Sequence, residues 1–160
     1  MSQSPLPPSN EDTARASVSF ARAFSHAMMR VHDLQMTKRF FVEGLGLVEK
    51  GTYVNEKGGY TMAVLNVIGD DQFEIHLTYN HDDEQYAGGR NFGHLAFVVD
   101  NLYATCRRIL DLGFTVARPP RDGRMAFLRT PEGIAIELVQ HGGKLEPCEP
   151  WVSMANNGAW

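Results

Sequence analysis

Four side chains in this chain combine types and spacing that suit a metal ion: His26, His76, His94 and Glu137. Imidazole nitrogen and carboxylate oxygen are donors for a divalent first-row transition metal. Each lies in a run that reads as a β-strand, and strands hold ligands in place to within about 0.5 Å better than loops do. What singles them out is repetition. Superposing "SHAMMRVHDL" on "GHLAFVVDNL" sets His26 on His94, and superposing "EIHLTY" on "AIELVQ" sets His76 on Glu137. Each copy of the repeat thus carries one donor on its first strand and one on its last. A single strand histidine is more often a hydrogen-bonded rim residue than a ligand. Glu137 resists that reading, because an inward carboxylate between Ile136 and Leu138 needs a counter-charge.

Glu74 competes with His76. Side chains at i and i+2 of a strand share a face, so both point the same way from "FEIHLTYN". The repeat register favours His76, which stands opposite Glu137. Glu74 then lies one pleat along, placed to meet a subunit partner or to support a ligand. His32, His81 and His141 fall in turn or tail contexts and read as solvent-facing.

The elements that would position these donors repeat as well. Strand, helix and three strands follow one another twice, giving an α+β fold of paired βαβββ modules over 24–80 and 92–140. In the first, a strand at 24–31 precedes a helix capped by Asp33, with Leu34, Phe41, Val42 and Leu45 on one face and Gly46 as the stop. Strands near 47–54, 59–68 and 72–79 follow. In the second, Asn101 caps a helix whose buried stripe is Leu102, Cys106, Ile109 and Leu110, with Gly113 as its end. Strands then fit 114–118, 123–130 and 134–140. Residues 1–23 read as a flexible leader, helical from about Asp12, and 141–160 as a tail that packs through Trp151.

The bulk numbers narrow the function. A chain of 160 residues, 43% hydrophobic and 21% charged, has the composition of a soluble globular protein. A net charge of −4 disfavours nucleic acid or an anionic membrane as partner, since both reward a basic face. No apolar run has the length of a transmembrane helix, and the start lacks the hydrophobic core of a secretory signal. Cys106 and Cys148 form no CxxC pair and read as reduced thiols of a cytoplasmic protein.

From about Phe24 to Gln140 the sequence resembles glyoxalase I (lactoylglutathione lyase), of the vicinal-oxygen-chelate superfamily that also holds bleomycin-resistance proteins and dioxygenases. The stretches that carry the resemblance are "HAMMRVHDLQMTKRFFVEGLGL", "IHLTYN", "GGRNFGHLAFVVD" and "TPEGIAIELVQ". It implies curved mixed sheets around a metal-binding cavity, with the four metal positions on His26, His76, His94 and Glu137. It further implies glutathione contacts at Arg30, Asn80 and Arg90, and substrate-side positions at Met125 and Phe127. Guanidinium groups grip carboxylates in pairs of hydrogen bonds, which suits a tripeptide with two of them. The resemblance also implies a homodimer with active sites at the subunit interface, one divalent ion per site (Ni, Zn, Co, Mn or Fe) and glutathione as co-substrate. Two departures stand out. Glyoxalase I normally has Glu where His76 stands, and the loop "RPPRDGRM" is shorter and differently composed, with Arg121 and Arg124 as candidate anion binders.

The implied reaction isomerises the hemithioacetal of methylglyoxal and glutathione to S-lactoylglutathione. A proton leaves the carbon bearing sulfur and returns to its neighbour, with Glu137 as base and the metal as electrophile. With neutral His76 in place of a carboxylate, one acid faces a divalent ion and the site stays formally at +1. His76 can shuttle a proton only if it leaves the metal. Two other classes fit the cavity: an Fe(II) extradiol-type dioxygenase and a non-enzymatic drug-binding protein. Arg30, Asn80 and Arg90 favour glutathione over a catechol, and the ligand set disfavours the binding protein.

Overall fold

Among the described residues of the computed structural model, eight strands and two helices follow the order strand, helix and three strands, taken twice. The structure describes residues 21, 23–70, 72–82, 84–89 and 91–158. Most of the expected leader therefore lies outside the described residues, as does Arg90. The first module runs β1 (His26–Arg30), α1 (Leu34–Arg39), β2 (Val48–Asn55), β3 (Tyr60–Asn66) and β4 (Glu74–Asn80). The second runs β5 (His94–Val99), α2 (Leu102–Asp111), β6 (Thr115–Arg118), β7 (Met125–Arg129) and β8 (Ala135–Gln140). Each makes a four-stranded mixed sheet, ordered β1-β4-β3-β2 and β5-β8-β7-β6. The first and last strands of each module pair in parallel, and the other pairs are antiparallel.

Local chemistry sets the helix starts. Asp33 accepts a hydrogen bond from the Met36 N–H at 2.8 Å, and Asn101 from the Ala104 N–H at 2.9 Å. Each thereby satisfies a donor that the first turn leaves without an intrahelical partner. Both helices give way to a glycine at positive φ, Gly46 and Gly113. The first helix departs from the expected pattern, because Phe40–Gly44 continues α1 as a π-helical turn. That wider turn brings consecutive Phe40 and Phe41 both into the core, where the simple helical stripe includes only Phe41.

The helices cover one face of the sheets and leave the other open. Met29, Ile75, Leu77, Leu95, Phe97, Ile136 and Leu138 belong to one core fed by both modules. On alternate positions, His26, Met28 and Arg30 of β1 and His94, Ala96 and Val98 of β5 are exposed. The modules meet where the π-turn touches α2. There a Cβ on Gly44 would lie 2.7 Å from Ile109 Cδ1, and Arg108 Nε donates to the Gly44 carbonyl at 2.9 Å. Glycine permits that approach.

The tail packs through more than Trp151. That indole is buried, stacks on Tyr103 at 6.0 Å and lies under the Arg107 guanidinium at 5.3 Å. Leu145 and Met154 add apolar contacts, and the Asn157 N–H donates to the Ala117 carbonyl at 2.9 Å. Arg121 Nη2 donates to the Met154 carbonyl at 2.6 Å, so this guanidinium is committed to the tail rather than held open for an anion. Both cysteines are free thiols, Cys106 buried and Cys148 exposed. Burial pushes the Cys106 thiol up to about 12, far from the reactive thiolate range. Native protein should therefore take up one equivalent of a thiol reagent per chain, at Cys148, and two after unfolding in denaturant, as mass spectrometry of the labelled chain would read.

Candidate metal and substrate site

Strand register decides which donors meet. In the parallel pair of the first module, His26 stands opposite Glu74, and His76 opposite Met28. In the second, His94 stands opposite Ala135, and Glu137 opposite Ala96. Partners in such a ladder share a face, so His26, Glu74 and His76 occupy the open face of one sheet and His94 and Glu137 that of the other. On β4 the alternate residues Ile75 and Leu77 are buried in the core, which fixes the direction in which Glu74 and His76 point.

Each open face carries an imidazole against a carboxylate. His94 Nε2 lies 3.0 Å from Glu137 Oε2, and the His94 ring meets Phe127 edge-on at 5.3 Å. His76 Nε2 lies 2.8 Å from Glu74 Oε2, while Lys50 Nζ reaches Glu74 Oε1 at 3.3 Å. The hydrogen bond from His76, with help from Lys50, holds the Glu74 carboxyl below the usual carboxylate range. The His26 and His76 rings stack, centroids 4.1 Å apart and planes 6° from parallel, and Ser25 Oγ sits 3.2 Å from His26 Nδ1.

These groups fit a metal ion in chemistry and spacing. Two ligands on adjacent vertices around an ion with bonds of about 2.0–2.2 Å lie about 3 Å apart. The His94–Glu137 gap has that separation. Among the described residues, however, no three histidine, cysteine, aspartate or glutamate side chains converge on one point. The sequence repeat foresees four donors at one ion; one chain offers them as two half-sites on two sheets.

The expected substrate residues gather partly beside the first half-site. Arg30 and Asn80 lie on its open face, Arg30 being opposite Thr78, two residues before Asn80. Arg30 also lines a cleft of about 400 Å³ with residues 84–88, Glu132 and Ile134. Met125 and Phe127 lie on β7 beside Val139 and Glu137 of β8, on the face of the second half-site. Arg90 lies outside the described residues.

A group that sequence reasoning missed organises that cleft. His32, expected to face solvent, has its Nδ1 2.8 Å from Glu132 Oε2 of the second module. Glu132 Oε1 also accepts from the backbone N–H groups of His32 and Asp33, at 2.8 and 3.1 Å. With the Nδ1–H directed at Glu132, His32 Nε2 is left to accept from the Tyr86 N–H at 3.5 Å, and the two rings lie 4.7 Å apart. The same network binds the β7–β8 loop to the start of α1 and to the segment after β4. Only tertiary structure joins His32 to a glutamate 100 residues away. Of the other two histidines, His81 Nε2 meets Thr61 Oγ1 at 2.9 Å, while His141 is largely exposed.

The chain's kinship agrees with this geometry. A family model described as the Glyoxalase/Bleomycin resistance protein/Dioxygenase superfamily matches residues 23–138. The chain belongs to that superfamily, and within it the similarity is to lactoylglutathione lyases. It is 38% identical over 122 residues to a probable lactoylglutathione lyase of Vibrio parahaemolyticus, covering 72% of this chain and 88% of that one. To the lactoylglutathione lyase of Haemophilus influenzae it is 36% identical, covering 72% and 90%. Among solved structures, the trypanothione-dependent glyoxalase I of Leishmania major superposes with a TM-score of 0.68 at 26% identity, over 75% of this chain and 87% of that one. No helix among the described residues is long and apolar enough to cross a membrane.

Glu132→Ala removes an acceptor from two backbone donors and from His32. It should lower stability by about 1–2 kcal/mol in urea unfolding while leaving metal uptake unchanged.

Proposed function

We propose that the chain is a metal-dependent glyoxalase I, converting the hemithioacetal of methylglyoxal and glutathione to S-lactoylglutathione. The observation that carries this reading is the pair of complementary half-sites on open sheet faces, with Arg30 and Asn80 beside the first. A bound divalent ion supplies Lewis acidity at the two neighbouring substrate oxygens. His26 and a β4 donor, His76 by the sequence repeat, would hold it together with His94 and Glu137. Glu137 takes the proton from the carbon bearing sulfur and returns it to the adjacent carbon. Arg30 and Asn80 hold glutathione, together with Arg90, and Met125 and Phe127 line the side nearer the reacting carbons. Free thiols at Cys106 and Cys148 suit the reducing cytoplasm, where glutathione is at hand.

The half-sites come together in a homodimer, the first module of one chain facing the second module of its partner. Sheet edges support this arrangement. The pairs β2–β3 and β6–β7 at one edge of each sheet contain a register shift, between Glu49 and Gly51 and between Val116 and Arg118. The edge strands at the other side, β1 and β5, which carry His26 and His94, run in unbroken register. Met28 and Val98 are exposed on the same faces, apolar surface that a second copy would cover.

A coupled assay of hemithioacetal isomerisation with Ni²⁺, Zn²⁺, Co²⁺ or Mn²⁺ tests the activity. Its absence, with O₂ consumption in the presence of Fe²⁺ and a catechol, would establish the dioxygenase instead. Exchange of His26→Ala and Glu137→Ala chains tests the dimer. Each mixed dimer would carry one intact and one doubly damaged site, so statistical exchange should restore about a quarter of all metal sites. A monomer that keeps full metal affinity refutes it. Arg30→Ala and Asn80→Ala should each raise KM for the hemithioacetal about tenfold, with kcat changed less than about threefold.

A further inference from the structure

The repeat is broken at one place on the open faces. Where the second module has Ala135 opposite His94, the first has Glu74 opposite His26. Glu137, two positions on, is matched by His76. The first module therefore holds its carboxylate one pleat nearer its first-strand histidine. The acid that the lyase pattern would put at 76 has an equivalent on the same face of the same strand.

The ring geometry separates the two β4 candidates. An imidazole lone pair lies in the plane of its ring, so an ion bound by two imidazoles must lie in both planes. The His26 and His76 rings are stacked and nearly parallel, 4.1 Å between centroids. Coplanar rings at that separation would overlap, so the planes are offset and share no point where an ion could sit. In this arrangement only one of the two rings can be a ligand. His26 is the ring that the repeat matches with His94, and it stands directly opposite Glu74. It engages Ser25 through Nδ1 and keeps Nε2 for a ligand, while His76 has its Nε2 2.8 Å from Glu74 Oε2. A histidine and a lysine against a carboxylate are the arrangement that orients a ligating oxygen from behind.

We propose that Glu74, not His76, completes the first half-site, so that the metal centre consists of His26, Glu74, His94 and Glu137. His76 is a positioning residue that holds Glu74 by its Nε2 and spaces His26 by its ring. The centre then has one carboxylate from each module, and two carboxylates balance a divalent charge that one leaves at +1. This rests on the metal-site reading above and changes its membership.

Zinc-loaded full-length protein tests the assignment without any activity measurement. X-ray absorption at the zinc edge should show two imidazoles per ion, and three would overturn the proposal. In zinc and cobalt titrations, Glu74→Gln should lose the bound ion or weaken it by at least about 1,000-fold. His76→Gln should keep full stoichiometry with a loss of about 10–100-fold, the range for a group behind a ligand. Both substitutions are near in size to the residue replaced, and circular dichroism reports whether each folds. Retention of the ion by Glu74→Gln, or its release by His76→Gln, overturns the proposal even if the wild type proves to be an isomerase. A wild-type chain that takes up neither ion refutes the metal reading itself, and this assignment with it.

Discussion

Parallel pairing of the first and last strands within each module is the constraint on which the site depends. A helix must cross over to make that pairing possible, and the two antiparallel strands between must turn back to fill the sheet. The result sets residues some 50 positions apart in sequence at Cα register, as with His26 and Glu74. Shifting either pairing by one residue would swing every donor into the apolar core and every core side chain into solvent. The buried run of Ile75 and Leu77, and that of Ile136 and Leu138, hold the register against such a slip. Hydrophobic burial of about 1.5–3 kcal/mol per side chain therefore fixes the aim of polar groups that would not choose it themselves.

The helices contribute by being placed on one side only. Their contact at Gly44 and Ile109 joins the two modules into one core, and Arg108 ties the π-turn to α2 through a carbonyl. The joint apolar core can then lie on the covered faces. The opposite faces stay free for charged and imidazole groups, which cost far less at a wet surface than buried without partners. The His32–Glu132 network adds a second tie between modules at the cleft that Arg30 lines, so cleft shape and module packing are linked.

Much of this was legible in the sequence, for identifiable reasons. Asp33 and Asn101 act as helix caps because capping is local, needing only a side chain and an N–H three residues on. The strands show because apolar alternation is also local, and the internal repeat multiplied a weak signal by two. The repeat likewise placed His26, His94 and Glu137 on matching strands. What escaped depends on contacts that no spacing encodes. The π-turn that buries both Phe40 and Phe41 follows from packing against Phe114 and the second module. The grip of Glu132 on His32 spans the whole fold. Between Glu74 and His76 the sequence repeat favours His76, while the ring orientation that bears on the choice is encoded by no spacing.

The unequal edges of the sheets bear on how assembly ends. A regular strand with free amides and carbonyls invites another strand, and if both sides of a molecule offer one, chains add without limit. Here β2 and β6 each meet their neighbour with a register shift, and β2 carries Glu49 and Lys50, while β1 and β5 run in unbroken register. Two of the four sheet borders are thus blunted against added strands, and the two histidine-bearing ones are left approachable. The same asymmetry halves the number of borders at which chains could run on into fibres.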